Sequence, residues 1–184
     1  PKLNLKKISI ESHLLLQPII ENLALGDEAI FSSILKLFNN MNLTPMSVSE
    51  LAPNLYPHEE FLTKCKPGTN DILDSQRSEE LLTLMSAADL GQSLIVSKGV
   101  CLAIETVPGT DAMLNFISNV RKTDNLELKG GILYKGPKEG QNLFIDAPVI
   151  GERTIKGVKD AGLNGIVIKH SKVIVLNQNE TKKL

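Results

Sequence analysis

Ser93-Leu-Ile-Val-Ser-Lys98-Gly99-Val100-Cys-Leu-Ala-Ile-Glu105-Thr-Val-Pro-Gly109-Thr110-Asp111-Ala-Met113 is the stretch on which the fold class turns. Two apolar runs, Ser93 to Val96 and Val100 to Glu105, flank Ser97-Lys98-Gly99 and read as a β-hairpin. The period then changes from two to 3.6. Gly109-Thr110-Asp111 opens a helix from Ala112 to about Arg121, with Met113, Phe116, Ile117 and Val120 on its apolar face.

Downstream, Ile132 to Lys135 reads as a short strand, Gly136 to Asn142 as a loop and Leu143 to Ile145 as a further strand. Glu152 to Ala161 reads as a helix ended by Gly162. Ile166 to Leu176 has the pattern of a second hairpin turning at His170-Ser171, which hints at an internal duplication. Upstream, Asp74 to Ala88 is an amphipathic helix capped by Asp74 or Ser75, after a turn-rich linker with Pro53, Pro57, Pro67 and Gly68. Thr44 to Leu51 is an extended run suited to a sheet edge. Asp27 to about Met41 is a helix, and Pro18 fits the first position of a shorter one, Pro18 to Leu25, stopped by Gly26. Strands interleaved with helices in this order predict an α/β domain: a mixed sheet with flanking helices and two hairpins. The chain opens on Pro1 without an initiator methionine, so it is expected to be a fragment or a processed product.

With 20 basic and 21 acidic residues the formal charge is −1. Nucleic-acid binders concentrate positive charge to neutralise phosphates, so nucleic acid is not expected as a partner. Cys65 and Cys101 lie far apart, and His13, His58 and His170 sit singly, without the spacing of a zinc site. Any metal would be held by oxygen ligands, which points to Mg2+ or Mn2+. The longest apolar stretch, Ser93 to Thr106, is broken by Lys98, too soon for a membrane span, and there is no signal-peptide pattern, so a cytoplasmic protein is expected.

The segment from Glu105 to Met113 also carries the most chemistry. A strand ends, Gly109 permits a bend, and the backbone amides of a new helix are free to hold an anion. A carboxylate at that point can hold a divalent cation against a phosphate. The plainer reading is that Thr110 or Asp111 caps the helix. Lys135-Gly-Pro-Lys138-Glu-Gly-Gln141 brings two lysines and an amide on a glycine-rich loop, either a pyrophosphate contact or a solvated surface loop. Gln92 either hydrogen-bonds a sugar or base, or serves the turn before the first hairpin.

Taken together, Gly26-Asp-Glu-Ala29, Asp89-Leu-Gly-Gln92, Leu102-Ala-Ile-Glu105, Gly109-Thr-Asp-Ala-Met113, Gly131-Ile-Leu-Tyr-Lys135, Pro137-Lys-Glu-Gly-Gln141, Asp146-Ala-Pro148, Ile150-Gly-Glu-Arg-Thr154 and Ala161-Gly-Leu-Asn-Gly-Ile166 resemble, in order and spacing, the LpxI-type UDP-2,3-diacylglucosamine pyrophosphatases. The resemblance implies metal-dependent hydrolysis of UDP-2,3-diacylglucosamine to UMP and 2,3-diacylglucosamine 1-phosphate (lipid X), in lipid A biosynthesis, with Mg2+ or Mn2+. It implies that residues 1–57 are the helical end of a Rossmann-like UDP-binding domain, 58–73 a linker and 74–184 the catalytic domain. Asp111 corresponds to the family's essential aspartate and would bind the metal or orient the attacking water, with Glu105 and Lys135 beside it in catalysis. Gln92, Gly109, Thr110, Lys138, Gln141 and Thr154 are the implied substrate contacts. The diacyl substrate would bring the protein into peripheral contact with the inner membrane, and a homo-oligomer is compatible with all of this. The alternative is a truncated, non-catalytic module that binds nucleotide or phospholipid.

Overall fold

A computed structural model describes residues 9–22, 27–60, 62–123, 129–144 and 146–183. The chain divides into two compact units, Pro1–Leu51 and Ala52–Leu184.

The first unit holds helices α1 (Ile10–Glu21), α2 (Asp27–Asn40) and α3 (Val48–Leu51). Ser9 starts α1 well before the expected Pro18: its Oγ accepts from the Ser12 N–H at 3.2 Å, and Pro18 lies inside the helix. The rest of the expected Pro18 to Leu25 helix, with its Gly26 stop, lies outside the described residues. Asn22 Nδ2 donates to Ser33 Oγ at 2.7 Å and ties α1 to α2. The edge strand expected over Thr44 to Leu51 is instead a loop and the single turn α3. Ser47 and Glu50 form a capping box there, with the Ser47 N–H donating to Glu50 Oε2 at 2.8 Å and the Glu50 N–H to Ser47 Oγ at 3.2 Å.

The second unit contains α4 (Thr69–Ala87), β1 (Ser93–Ser97), β2 (Val100–Ile104), α5 (Thr110–Thr123), β3 (Ile132–Lys135), β4 (Val149–Ile150), α6 (Glu152–Asp160), β5 (Gly165–Ile168), β6 (Ile174–Val175) and α7 (Gln178–Thr181). Four strands form a sheet in the order β2-β1-β3-β5, antiparallel except for the parallel pair β3 and β5. Strand alternation sends Leu94, Val96, Ile132 and Tyr134 to one face, where Leu82 and Met85 of α4 cover them. Ile95 and Leu133 face the other way, onto Met113, Leu114 and Ile117 of α5 and Val158 of α6. The result is a sheet with helices on both sides, the α/β class expected.

Three local expectations change. The stretch Ile166 to Leu176 is not a hairpin: β5 joins β3, while β6 leaves to pair in parallel with β4 in a separate two-stranded sheet. Val173 and Val175 bury against Ile150 there, with Ile166 and Ile168 of β5 packed on the same cluster, so β6 takes its ladder from β4 while keeping apolar contact with β5. The suggested duplication goes with it. Leu143 and Phe144 form a turn rather than a strand, and Ile145 lies outside the described residues. On α5 the buried stripe is Met113, Leu114 and Ile117, while Phe116 is 57% exposed.

Helix α4 starts at Thr69, where Asp71 accepts from the Gly68 N–H at 2.9 Å, rather than at Asp74. Asp74 is thereby placed in the helix interior, 1% exposed, in one stripe with Ser78, Leu82 and Met85. Its two oxygens accept from the Lys98 N–H at 3.0 Å and the Gly99 N–H at 2.7 Å, holding the hairpin turn in which Lys98 adopts φ +51°. Bonds to a charged acceptor contribute about 1.5–3 kcal/mol. Asp74→Ala is therefore expected to lower unfolding free energy by roughly 2–3 kcal/mol, seen as a shifted urea midpoint at unchanged slope; a shift no larger than that of a surface substitution would remove Asp74 from this role.

Candidate functional site

Register sets the position of the site. Ser93 opposes Lys135, Lys135 opposes Ile168, and Leu94 opposes Ile104, so the ends of β2, β3 and β5 and the start of β1 share one edge. Ligands in open α/β sheets bind outside the carboxyl ends of the parallel strands, which is this edge.

Four side chains from three strand ends and a helix start meet there. Ser93 Oγ donates to Glu105 Oε2 at 2.5 Å, and Thr110 Oγ1 donates to Glu105 Oε1 at 3.0 Å. Lys135 Nζ donates to Thr110 Oγ1 at 2.6 Å and lies 3.8 Å from Glu105 Oε2. The Lys135 and Glu105 side chains are only 9% and 13% exposed, so each depends on the other for charge compensation. Gly91 closes the arrangement: its N–H donates to the Glu105 carbonyl at 3.1 Å, and a Cβ at this position would lie 2.5 Å from that oxygen. Any side chain at residue 91 would push Glu105 out of place.

Asp111 follows Thr110 on the first turn of α5 but faces outward, half-exposed, with Oδ2 accepting from Arg153 Nη2 at 2.6 Å. Gly109, at φ +87°, makes the bend that lets the chain turn from β2 into α5, and its carbonyl accepts from the Met113 N–H.

Lys138 and Gln141 belong to a second group. Lys138 Nζ donates to Asp89 Oδ1 at 2.6 Å, the Lys138 N–H donates to Gln141 Oε1 at 2.8 Å, and Gln141 Nε2 donates to Asp146 Oδ2 at 2.6 Å. This loop borders a cavity of about 330 Å3 against α4, which also touches Glu79, Tyr134 and Lys169 but not Glu105, Thr110, Asp111 or Lys135. Burial, with the Glu79 carboxylate adding to it, pushes the Tyr134 phenol up to about 12, so it stays a neutral donor at physiological pH. The two groups are joined through Gln92, whose carbonyl accepts from the Gly136 N–H at 3.0 Å. Gln92 Oε1 is buried with no partner among the described residues. Thr154 is 8% exposed and accepts from the Gly151 N–H at 3.4 Å, which is the work of a helix cap.

Ser93 and Arg153 were not singled out in the sequence. A serine at the head of a strand has no distinguishing signal, and nothing local to Arg153 reveals a partner 42 residues away.

Among the described residues no three His, Cys, Asp or Glu side chains gather as a metal nest. Mg2+ keeps several waters and takes one or two carboxylates together with substrate phosphates. Asp111, half-exposed at the sheet edge, fits such a ligand; Glu105, already bonded to Ser93 and Thr110, does not. No helix among the described residues is long and apolar enough to cross a membrane.

Residues 58–184 match the family model described as the LpxI C-terminal domain. The chain is also 28% identical over 155 residues to the UDP-2,3-diacylglucosamine pyrophosphatase LpxI of Caulobacter vibrioides, across 83% of this chain and 55% of that protein. It thus spans about half the length of the curated relative it matches. With the motifs ordered along the same residues, the chain belongs to the LpxI family and carries its C-terminal domain.

Proposed function

We propose that this protein hydrolyses the pyrophosphate of UDP-2,3-diacylglucosamine, releasing UMP and 2,3-diacylglucosamine 1-phosphate, as a step of lipid A synthesis. The observation that carries the reading is the buried group of Ser93, Glu105, Thr110 and Lys135 beside Asp111, at the carboxyl edge of a sheet in an LpxI-family chain. In the reaction, water adds to one phosphorus, the anhydride P–O bond breaks, and each phosphate leaves with its own substituent.

Asp111 would hold a divalent cation, Mg2+ or Mn2+, which when bound would supply charge to offset the phosphates and Lewis acidity to activate water. The first amides of α5 have no intrahelical acceptor and present donors and a positive dipole end to the pyrophosphate. Lys135 adds positive potential from below, and Glu105 keeps its ammonium in place through Thr110. Lys138 and Gln141 contact the substrate from the cavity side, and the donor-less Oε1 of Gln92 supports its assignment to a substrate N–H or O–H. The diacyl chains require access to a bilayer, so transient contact with the inner membrane accompanies turnover.

The test is UMP release from UDP-2,3-diacylglucosamine by the full-length protein with and without Mg2+. Release that stops on chelation and resumes with Mg2+ is expected. A folded protein that binds the substrate without releasing UMP would replace this reading with that of a binding module.

A further inference from the structure

Asp111, the carboxylate that the proposed function turns toward a cation, has its Oδ2 engaged by Arg153 at 2.6 Å, so a cation and a guanidinium compete for the same side chain. Arg153 projects from the first turn of α6, and the pair exists because α6 packs beside α5 at the same end of the sheet. A planar guanidinium binds carboxylate and phosphate through the same parallel N–H groups, so it can pass from one to the other. Nothing holds it tightly to Asp111: the two side chains are 88% and 49% exposed, and such pairs are worth at most about fivefold in an equilibrium.

We propose that Arg153 is a place-holding cation. It sits on Asp111 until the divalent cation takes that carboxylate, and then serves as a ligand for the substrate's pyrophosphate. This rests on the assignment of Asp111 as metal ligand. The coupling follows from the charges present. Once displaced, the guanidinium stands beside the metal and near the positive ends of two helices, α5 and α6, with Glu152 the one acidic residue in its own first turn. An anion placed there relieves that repulsion, so metal and phosphate bind better together than apart. No covalent step is involved; one electrostatic pair is exchanged for two.

The test uses Mn2+ binding to the full-length protein, followed by electron paramagnetic resonance of the free ion, and pyrophosphate binding by calorimetry at saturating Mn2+. Asp111→Ala should weaken Mn2+ binding at least about tenfold. Arg153→Ala should tighten it about three- to fivefold, because the competitor is gone. The same variant should weaken pyrophosphate binding about tenfold, and Arg153→Lys, which keeps the charge without the fork, about threefold. Unchanged or weaker Mn2+ binding in Arg153→Ala overturns the proposal, as does Mn2+ binding indifferent to Asp111→Ala or pyrophosphate binding indifferent to Arg153. Circular dichroism should show all variants folded, since both side chains are exposed. UMP release by the unaltered protein with an unchanged Mn2+ response in Arg153→Ala would sink the exchange and leave the hydrolase. Tightened Mn2+ binding without any UMP release would do the reverse.

Discussion

Asp111→Asn is expected to reduce UMP release by the full-length protein about 10³-fold, roughly 4 kcal/mol of transition-state stabilisation. The substitution keeps size and hydrogen-bonding capacity but removes the anionic charge that a hard divalent cation requires. Folding should be nearly untouched, because the side chain is 49% exposed and its one ion pair is with a side chain 88% exposed. A change in unfolding free energy within about 0.5 kcal/mol is expected. The loss should therefore appear in kcat and in the metal dependence, with a raised KM where the metal no longer helps to bind phosphate, and the melting curve should superimpose on that of the parent. Activity retained above about a tenth of the parent value would leave too small a barrier change for a metal-holding carboxylate, and Asp111 would become only the surface ion-pair partner of Arg153.

Lys135→Met should have the opposite profile, with a large cost in stability as well as in rate. It leaves Glu105, whose side chain is 13% exposed, without its compensating charge. Breaking one partner of a buried pair costs about 3–5 kcal/mol. Chemical denaturation should show that loss directly. Adding Glu105→Gln removes the stranded charge while keeping acceptors for Ser93 and Thr110, so the double variant should recover a substantial part of the stability. It should not recover UMP release, since the positive potential under the pyrophosphate is gone. Additive stability losses in the two single variants would show that the pair is not coupled, and a double variant with restored activity would remove Lys135 from the chemistry.

Much of the fold was legible because periodicity is local. The strand Ile132–Lys135, the first hairpin and the start of α2 at Asp27 fall where the residue pattern put them. Helix starts were less legible: Ser9 and Gly68 begin helices whose caps precede the apolar pattern, so α1 and α4 reach further back than expected. Asp74 shows the cost of a local view. It reads as a cap because aspartate favours that position, and only the packing of α4 across the sheet reveals that it caps the turn of a different element.

The site divides in the same way. Glu105, Thr110 and Asp111 are adjacent to one strand-to-helix junction, so their proximity follows from the chain itself. Lys135 joins them through strand register, and Lys138 and Gln141 turn instead toward the cavity beside α4. Sequence by itself determined the α/β class, the family, and the junction from Glu105 to Met113. The tertiary structure alone decided that β5 and β6 separate into two sheets, that Ser93 and Lys135 bury Glu105, and that Arg153 rests on Asp111. A pattern of apolar residues records which face of an element is buried, but the partner of a ladder or of a charge is chosen among distant segments by the total energy of packing them together.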